Sequence, residues 1–136
     1  MPENMIAGNS IAYLEWTTKS WSKSGTLKPF SRRALESYKV QIQNPECVHA
    51  MCEDYRAGAT IDRQLDEADK AAGRKIKAPM HYIWANSGFP AATGDPLVHW
   101  EKWTDTLTGT EIDAGHFAQE ENPDAVISAF LPFFAN

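Results

Sequence analysis

Two short strand patterns in the second half of the chain constrain the fold more than any other feature of this sequence. The first is the apolar run Met80–Trp84, bounded by Pro79 and Gly88, which predicts a buried strand. The second is GTEIDAG at residues 109–115. A helical stretch, GDPLVHWEKWTDTLTG, separates them, with Asp95 as its predicted cap. This order predicts a parallel pair of strands with a right-handed crossover. Because parallel sheets are normally covered on both faces and contain more strands, the pattern predicts part of a larger α/β fold.

The first half of the chain is predicted to be helical. Residues 3–21 carry a loose helical pattern of apolar side chains, with one glycine inside it. Two further helices begin at good caps, Ser31 and Asn44, and Pro45 suits the first position of the second one. A fourth helix is predicted to end at Gly73. Four helices therefore precede the strands.

A last helix is predicted from NPDAVISAFLPFFAN, with Asn122 as its cap and Pro123 as its first residue. Pro132 lacks an amide hydrogen and crowds the preceding turn, so the helix is predicted to kink or stop there. The chain thus divides into a helical segment at residues 1–74 and a βαβα unit at residues 75–136.

Size and charge exclude several classes of protein. The chain has 136 residues, which is the size of one ordinary domain. Its net charge is −5, whereas nucleic acids and anionic membranes need a cationic surface, so neither is expected as a partner. No apolar run approaches the roughly 20 residues that span a bilayer. The N-terminus lacks a signal-peptide pattern, and we expect a cytoplasmic protein.

The two cysteines do not predict a metal site. Cys47 and Cys52 flank His49, but on a helix the two thiols would point about 140° apart. A fourth ligand is not evident. We therefore expect reduced thiols, no metal and no cofactor.

His116 is the strongest candidate for catalysis. It follows the last predicted strand directly, and catalytic groups of open α/β sheets gather at the C-terminal ends of the strands. The residue could equally be a loop histidine that caps the acidic start of the next helix. His81, within a strand, and His99, within a helix, are predicted to be structural.

Tyr55 and Trp21 are further candidates. Tyr55 lies in CEDYRAG at the end of an apolar helix, whose spacing predicts Val48, Met51, Cys52 and Tyr55 on its inward face. There Tyr55 could be a core residue with a satisfied hydroxyl group. Trp21 precedes the break at SKSG and could anchor a helix pair. Alternatively, indole and phenol groups are donors on apolar frames, which suits the binding of a halide or an oxyanion.

The ordered set of these segments resembles the haloacetate (fluoroacetate) dehalogenases, a family of α/β-hydrolases. The resemblance is carried by MCEDYRAGATID, by APMHYIWANSG after a lysine-rich linker, by PLVHWEKWTDTLTGTEIDAGHFAQEENPD and by the closing helix. It implies a partial α/β-hydrolase fold, in which residues 1–74 are most of a helical cap and residues 75–136 are the end of the core.

The resemblance also implies a chemistry. In that family an aspartate displaces the halide from a 2-haloacid, and a histidine activates water to hydrolyse the resulting ester. A second carboxylate orients the histidine, and arginines hold the substrate carboxylate. By position, His116 matches the general base, Tyr55 matches the halide-binding tyrosine and Trp21 matches a cap tryptophan that lines the pocket.

Other parts of that machinery have no match here. The nucleophile, its arginines and the oxyanion-hole segment would precede Met1, and Asn86 and Ser87 stand where many α/β-hydrolases place their acid. We therefore expect no turnover by this chain alone, and one possibility is that an N-terminal hydrolase fragment complements it. The alternatives are an epoxide-hydrolase-type relative and a non-catalytic helical module that binds a partner. Uncovered apolar surface also predicts self-association.

Overall fold

The computed structural model describes residues 2–135, so Met1 and Asn136, at the ends of the two predicted segments, lie outside the described residues. Over residues 2–135 the chain forms nine helices and two strands. The helices are α1 (Pro2–Ala7), α2 (Ser10–Trp21), α3 (Arg32–Ile42), α4 (Pro45–Ala59), α5 (Ile61–Ala71), α6 (Phe89–Ala92), α7 (Leu97–Trp100), α8 (Ala118–Glu121) and α9 (Pro123–Phe134), and the strands are β1 (Met80–Ala85) and β2 (Leu107–Ile112). No helix within this range combines the length and apolar character needed to cross a bilayer.

The helix starts predicted at Ser31 and Asn44 are confirmed. The Ser31 hydroxyl accepts a hydrogen bond from the backbone N–H of Ala34 at 3.1 Å, and the Asn44 amide oxygen accepts from Glu46 at 3.0 Å. The prediction of a single helix over residues 3–21 was wrong, because the segment forms two helices, α1 and α2, with a break between them. Gly8 and Asn9 lie at the break, and both residue types weaken a helix interior.

The helices of the first half enclose a small core. Its buried residues are Ile6, Ile42, Val48 and Cys52, with Leu14 and others packed beside them. Val48 and Cys52 thus face inward from α4, as their spacing predicted.

Tyr55 does not belong to this core. We predicted it on the same inward face of α4, but its side chain is 68 % exposed. Its side chain instead lines a cavity with residues of other elements.

The two strands form a parallel pair, as predicted. Met80 pairs with Leu107, and the register continues to Ala85 and Ile112. The ladder extends past the strands, because Asn86 N–H donates to the Ile112 carbonyl at 2.9 Å. β1 was predicted to be buried, yet all six of its residues are half-buried, since only β2 pairs with it within residues 2–135.

Helices cover parts of both faces of this pair. On one face Tyr82 contacts Trp100 of α7, with ring centroids 5.5 Å apart. On the other, His81 contacts Phe130 and Phe133 of α9 and lies 2.7 Å from the Thr108 hydroxyl. These contacts fit the structural role predicted for His81.

In the second half, the lengths of the two predicted helices differ from the prediction. The helix after β1 is reduced to the four residues of α7, with α6 before it. Asp95 nevertheless accepts from the N–H of Leu97 at 2.9 Å, as a cap does. α9 starts at the predicted cap but continues through Pro132 to Phe134. Because Pro132 lies in the last turn, the interrupted hydrogen bonding is confined to the end of the helix.

Candidate active site

His116 lies in the loop after β2, beyond the C-terminal end of the strand. Its backbone N–H donates to the carbonyl of Trp21 at 3.0 Å, so the loop is joined to the end of α2. Its imidazole ring contacts the indole of Trp21 edge-on at 4.8 Å and the ring of Phe117 at 5.0 Å. The imidazole is therefore held between aromatic rings while remaining exposed.

The structure brings all three predicted site residues to one cavity. It has a volume of about 730 Å³ and opens at the C-terminal end of the strands. His116 and Trp21 line it from the junction of α2 with the β2 loop, and Tyr55 lines it from the end of α4. The other lining residues are Ser20, Ser22, Lys23, Ser87, Gly88, Phe89 and Gly115. The alternative of a buried Tyr55 is thereby excluded.

Gly115 permits the close approach of the two segments. A Cβ atom at this position would lie 2.3 Å from the backbone nitrogen of Lys23 and 2.7 Å from a carboxylate oxygen of Glu121. Both distances are below any normal contact, and the first involves backbone that cannot rotate away. The glycine before His116 is thus a packing requirement of the α2–β2 junction.

A polar network missed by the sequence analysis lies beside the cavity. The Lys23 ammonium group forms an ion pair with Asp113 and also lies 3.2 Å from the amide oxygen of Asn86. The amide nitrogen of Asn86 donates to Asp113 at 2.6 Å. Donation by Lys23 first, and by Asn86 second, lowers the pKa of Asp113 below the usual value for an aspartate.

The Glu121 carboxylate forms a second set of contacts between these segments that the sequence did not predict. One carboxylate oxygen accepts from the backbone N–H of Lys23 at 2.8 Å, and the other accepts from that of Phe117 at 3.2 Å. The carboxylate is half-buried. It bridges the turn after α2 and the loop that carries His116.

A signal for part of this set exists in the sequence. Asn86 and Asp113 each follow a strand directly, and the C-terminal ends of parallel strands meet at one edge of the sheet. Their proximity could have been inferred from that rule. Lys23 and Glu121 carry no such signal, because their positions depend on how the helical segment packs on the β2 loop.

A cluster of metal-ligating types occurs elsewhere, on α1 and α4. Within residues 2–135, the ligand atoms of Glu3, His49 and Glu53 lie within 4.8 Å of one another, and neither cysteine joins them. Arg56 forms ion pairs with both glutamates. A backbone hydrogen bond and then Arg56 lower the pKa of Glu3 to about 2. Because the guanidinium group of Arg56 pairs with both carboxylates, the cluster is an ion-pair network.

The geometry of the cavity suits anion binding and proton transfer. An exposed imidazole can take a proton from water, and the indole N–H and phenol O–H groups can donate to an anion. A carbon-bound halogen leaves as such an anion.

No protein-family model matches the chain. A fluoroacetate dehalogenase from Burkholderia sp is 29% identical over 135 residues, which are 99% of this chain and 43% of that protein. The chain thus spans less than half the length of this curated relative.

Nearly the whole chain is also similar to solved protein structures. A Pseudomonas aeruginosa protein provisionally named an epoxide hydrolase is 35% identical, with a TM-score of 0.89 over 98% of this chain and 44% of its own. A provisionally named α/β hydrolase from Nostoc sp PCC 7120 is 33% identical, with a TM-score of 0.92 over 100% of this chain and 45% of its own. The predicted fold is confirmed: the chain has a partial α/β-hydrolase fold, and over nearly its whole length it is similar to fluoroacetate dehalogenase and to solved α/β hydrolases.

Proposed function

We propose that this chain supplies the general-base side of a hydrolytic site for a small 2-haloacid, as the C-terminal portion of a hydrolase that resembles fluoroacetate dehalogenase. The observation that carries the proposal is the convergence of His116, Trp21 and Tyr55 on one cavity. These residues lie far apart in the sequence, on the β2 loop, α2 and α4. The similarity to the Burkholderia enzyme supports the choice of substrate class.

Each of the three residues has a separate role in this proposal. His116 takes a proton from water, which then hydrolyses an ester between the substrate and an aspartate located outside these 136 residues. Trp21 and Tyr55 donate hydrogen bonds to the departing halide. The aromatic contact with Trp21 keeps the imidazole in place while water reaches it.

The Pseudomonas aeruginosa structure and its name favour a second candidate, epoxide hydrolysis. The same site would serve, since His116 would again activate water against an ester. Tyr55 would donate its hydroxyl proton to the epoxide oxygen as the ring opens. The two candidates differ in their product, because one releases halide and the other releases a diol.

Complementation tests the proposal. The 136-residue chain is mixed with the part of the Burkholderia fluoroacetate dehalogenase that it does not match, and halide release from fluoroacetate and chloroacetate is measured. We expect no release by the chain alone and release by the mixture. His116→Ala should reduce the rate by about 10²- to 10⁴-fold, because general-base catalysis contributes that much.

His49→Ala is the matched control, since His49 lies on the exposed surface of α4. Equal loss in both variants, or halide release by the chain without its partner, would contradict the proposal. Diol formation from an epoxide without halide release would favour the second candidate. Tyr55→Phe should chiefly slow halide departure.

A further inference from the structure

The Glu121 side chain connects the segment after α2 with the loop after β2. Lys23 and Glu121 are 98 positions apart in the sequence, and the backbone N–H of Lys23 donates a hydrogen bond to one carboxylate oxygen of Glu121. The other Glu121 oxygen accepts from the N–H of Phe117. Trp21 lies two residues before Lys23, and His116 lies directly before Phe117. The Glu121 carboxylate therefore binds the backbone close to both members of the Trp21–His116 ring pair.

We propose that Glu121 is a positioning residue that holds the His116 imidazole against Trp21, an inference that rests on the proposed role of His116 as a general base. The carboxylate fixes the distance between the two segments. Within that fixed distance the N–H of His116 donates to the Trp21 carbonyl, and the two rings meet at 4.8 Å.

The contacts at this junction indicate that Glu121, rather than a neighbouring residue, positions the two rings. Hydrogen bonds from N–H groups to a carboxylate are about twice as strong as those between neutral groups. The nearby Lys23–Asp113 ion pair has one partner 42% and the other 70% exposed, so water and salt weaken it. Gly115 leaves room for the Glu121 carboxylate, which would otherwise meet a Cβ atom at 2.7 Å.

The test compares Glu121→Gln with Glu120→Gln in the 136-residue chain. A glutamine has one acceptor oxygen, so Glu121→Gln deprives either Lys23 or Phe117 of an acceptor for its N–H. Glu120 lies in the same short helix but accepts from the hydroxyl of Tyr38, away from the ring pair. The readout is the nuclear Overhauser effect between Trp21 indole and His116 imidazole protons, with the core methyl signals of Val48 as a check on folding.

We expect Glu121→Gln to lose this effect while the Val48 signals stay unchanged, and Glu120→Gln to retain it. Lys23→Ala should also retain it, because Glu121 binds the backbone of that residue. Retention in Glu121→Gln, or equal loss in all three variants, would overturn the proposal.

Glu121→Asp covers the case in which Glu121→Gln does not fold. Its shorter side chain reaches one of the two N–H groups, so a folded Glu121→Asp chain with a full Trp21–His116 effect would also overturn the proposal, whereas loss supports it. This readout needs no turnover. A complemented enzyme that fails to release halide would therefore refute the proposed function and leave the result on Glu121 standing.

Discussion

Gly115 and His116 are neighbours in the β2 loop, where the glycine makes room for close packing and the histidine contacts Trp21. The missing Cβ of Gly115 lets the turn at Lys23 pack against the β2 loop. The contact of His116 with Trp21 depends on that packing. The glycine before His116 is therefore required by the packing of the Lys23 backbone, independently of the histidine side chain.

Gly115→Ala is predicted to destabilise the folded chain. The added Cβ would meet the Lys23 nitrogen at 2.3 Å, and the backbone on both sides must move. Overpacking of this kind costs roughly 1–3 kcal/mol of unfolding free energy. Urea unfolding followed by circular dichroism measures the change.

Gly58→Ala is the control for that substitution. Gly58 lies in α4, and a Cβ there has nothing within 4 Å. Alanine favours the helix by about 0.5 to 1 kcal/mol, so this variant should be more stable than the parent. Similar destabilisation by both substitutions would show that a Cβ atom at Gly115 is tolerated no worse than one at Gly58. That result would contradict a tight α2–β2 junction.

At the level of single helices, local side-chain chemistry accounts for the starts of α3, α4 and α9. Ser31, Asn44 and Asn122 cap the helices that follow them, as their sequence context predicts. The break at Gly8 and the shortness of α7 were not predicted. In both places, packing against other elements competes with a weak helical pattern, and the pattern alone does not reveal the outcome.

Ser31→Ala is predicted to reduce stability by about 1 kcal/mol, because the Ala34 N–H would lose its acceptor. Thr60→Ala is the matched substitution at the start of α5. The Thr60 hydroxyl donates to the Arg56 carbonyl and accepts no cap hydrogen bond, so its loss should have a smaller effect. Thermal unfolding of the two variants side by side checks the difference. An effect of Thr60→Ala as large as that of Ser31→Ala would contradict the assignment of the caps.

At the level of the whole molecule, apolar surface and strand edges are left uncovered. Each strand is paired along one edge within residues 2–135. Large apolar side chains are also exposed, namely Ile127, Leu131 and Phe134 on α9 and Phe89 on α6. We predict that the isolated 136-residue chain self-associates. Sedimentation equilibrium over a range of concentrations measures this, and a stable monomer throughout would contradict it.

The network between the two halves is predicted to make stability depend on pH. The pKa of Asp113 is lowered in the folded chain by Lys23 and Asn86. Its stabilising contribution is therefore complete above the pKa of the unfolded state and is lost as the pH falls through the lowered folded value. The urea midpoint should decrease on acidification, and it should do so less in Asp113→Asn. An identical pH profile for the parent and this variant would refute the contribution.

The sequence by itself determined the class of fold, because the order of helical and strand patterns leaves few topologies open. It also determined the candidate residues His116, Trp21 and Tyr55, through their resemblance to haloacetate dehalogenases. Local capping and strand signals operate over a few residues, which is why they can be read without a structure.

Tertiary structure alone decided how the site is held together. Glu121 meets Lys23 across 98 positions, and Asp113 meets Lys23 across 90. No local pattern specifies such pairs, since they depend on how the helical segment packs against the β2 loop. Tertiary packing also placed Tyr55, a predicted core residue, in the wall of the cavity, where its side chain is exposed.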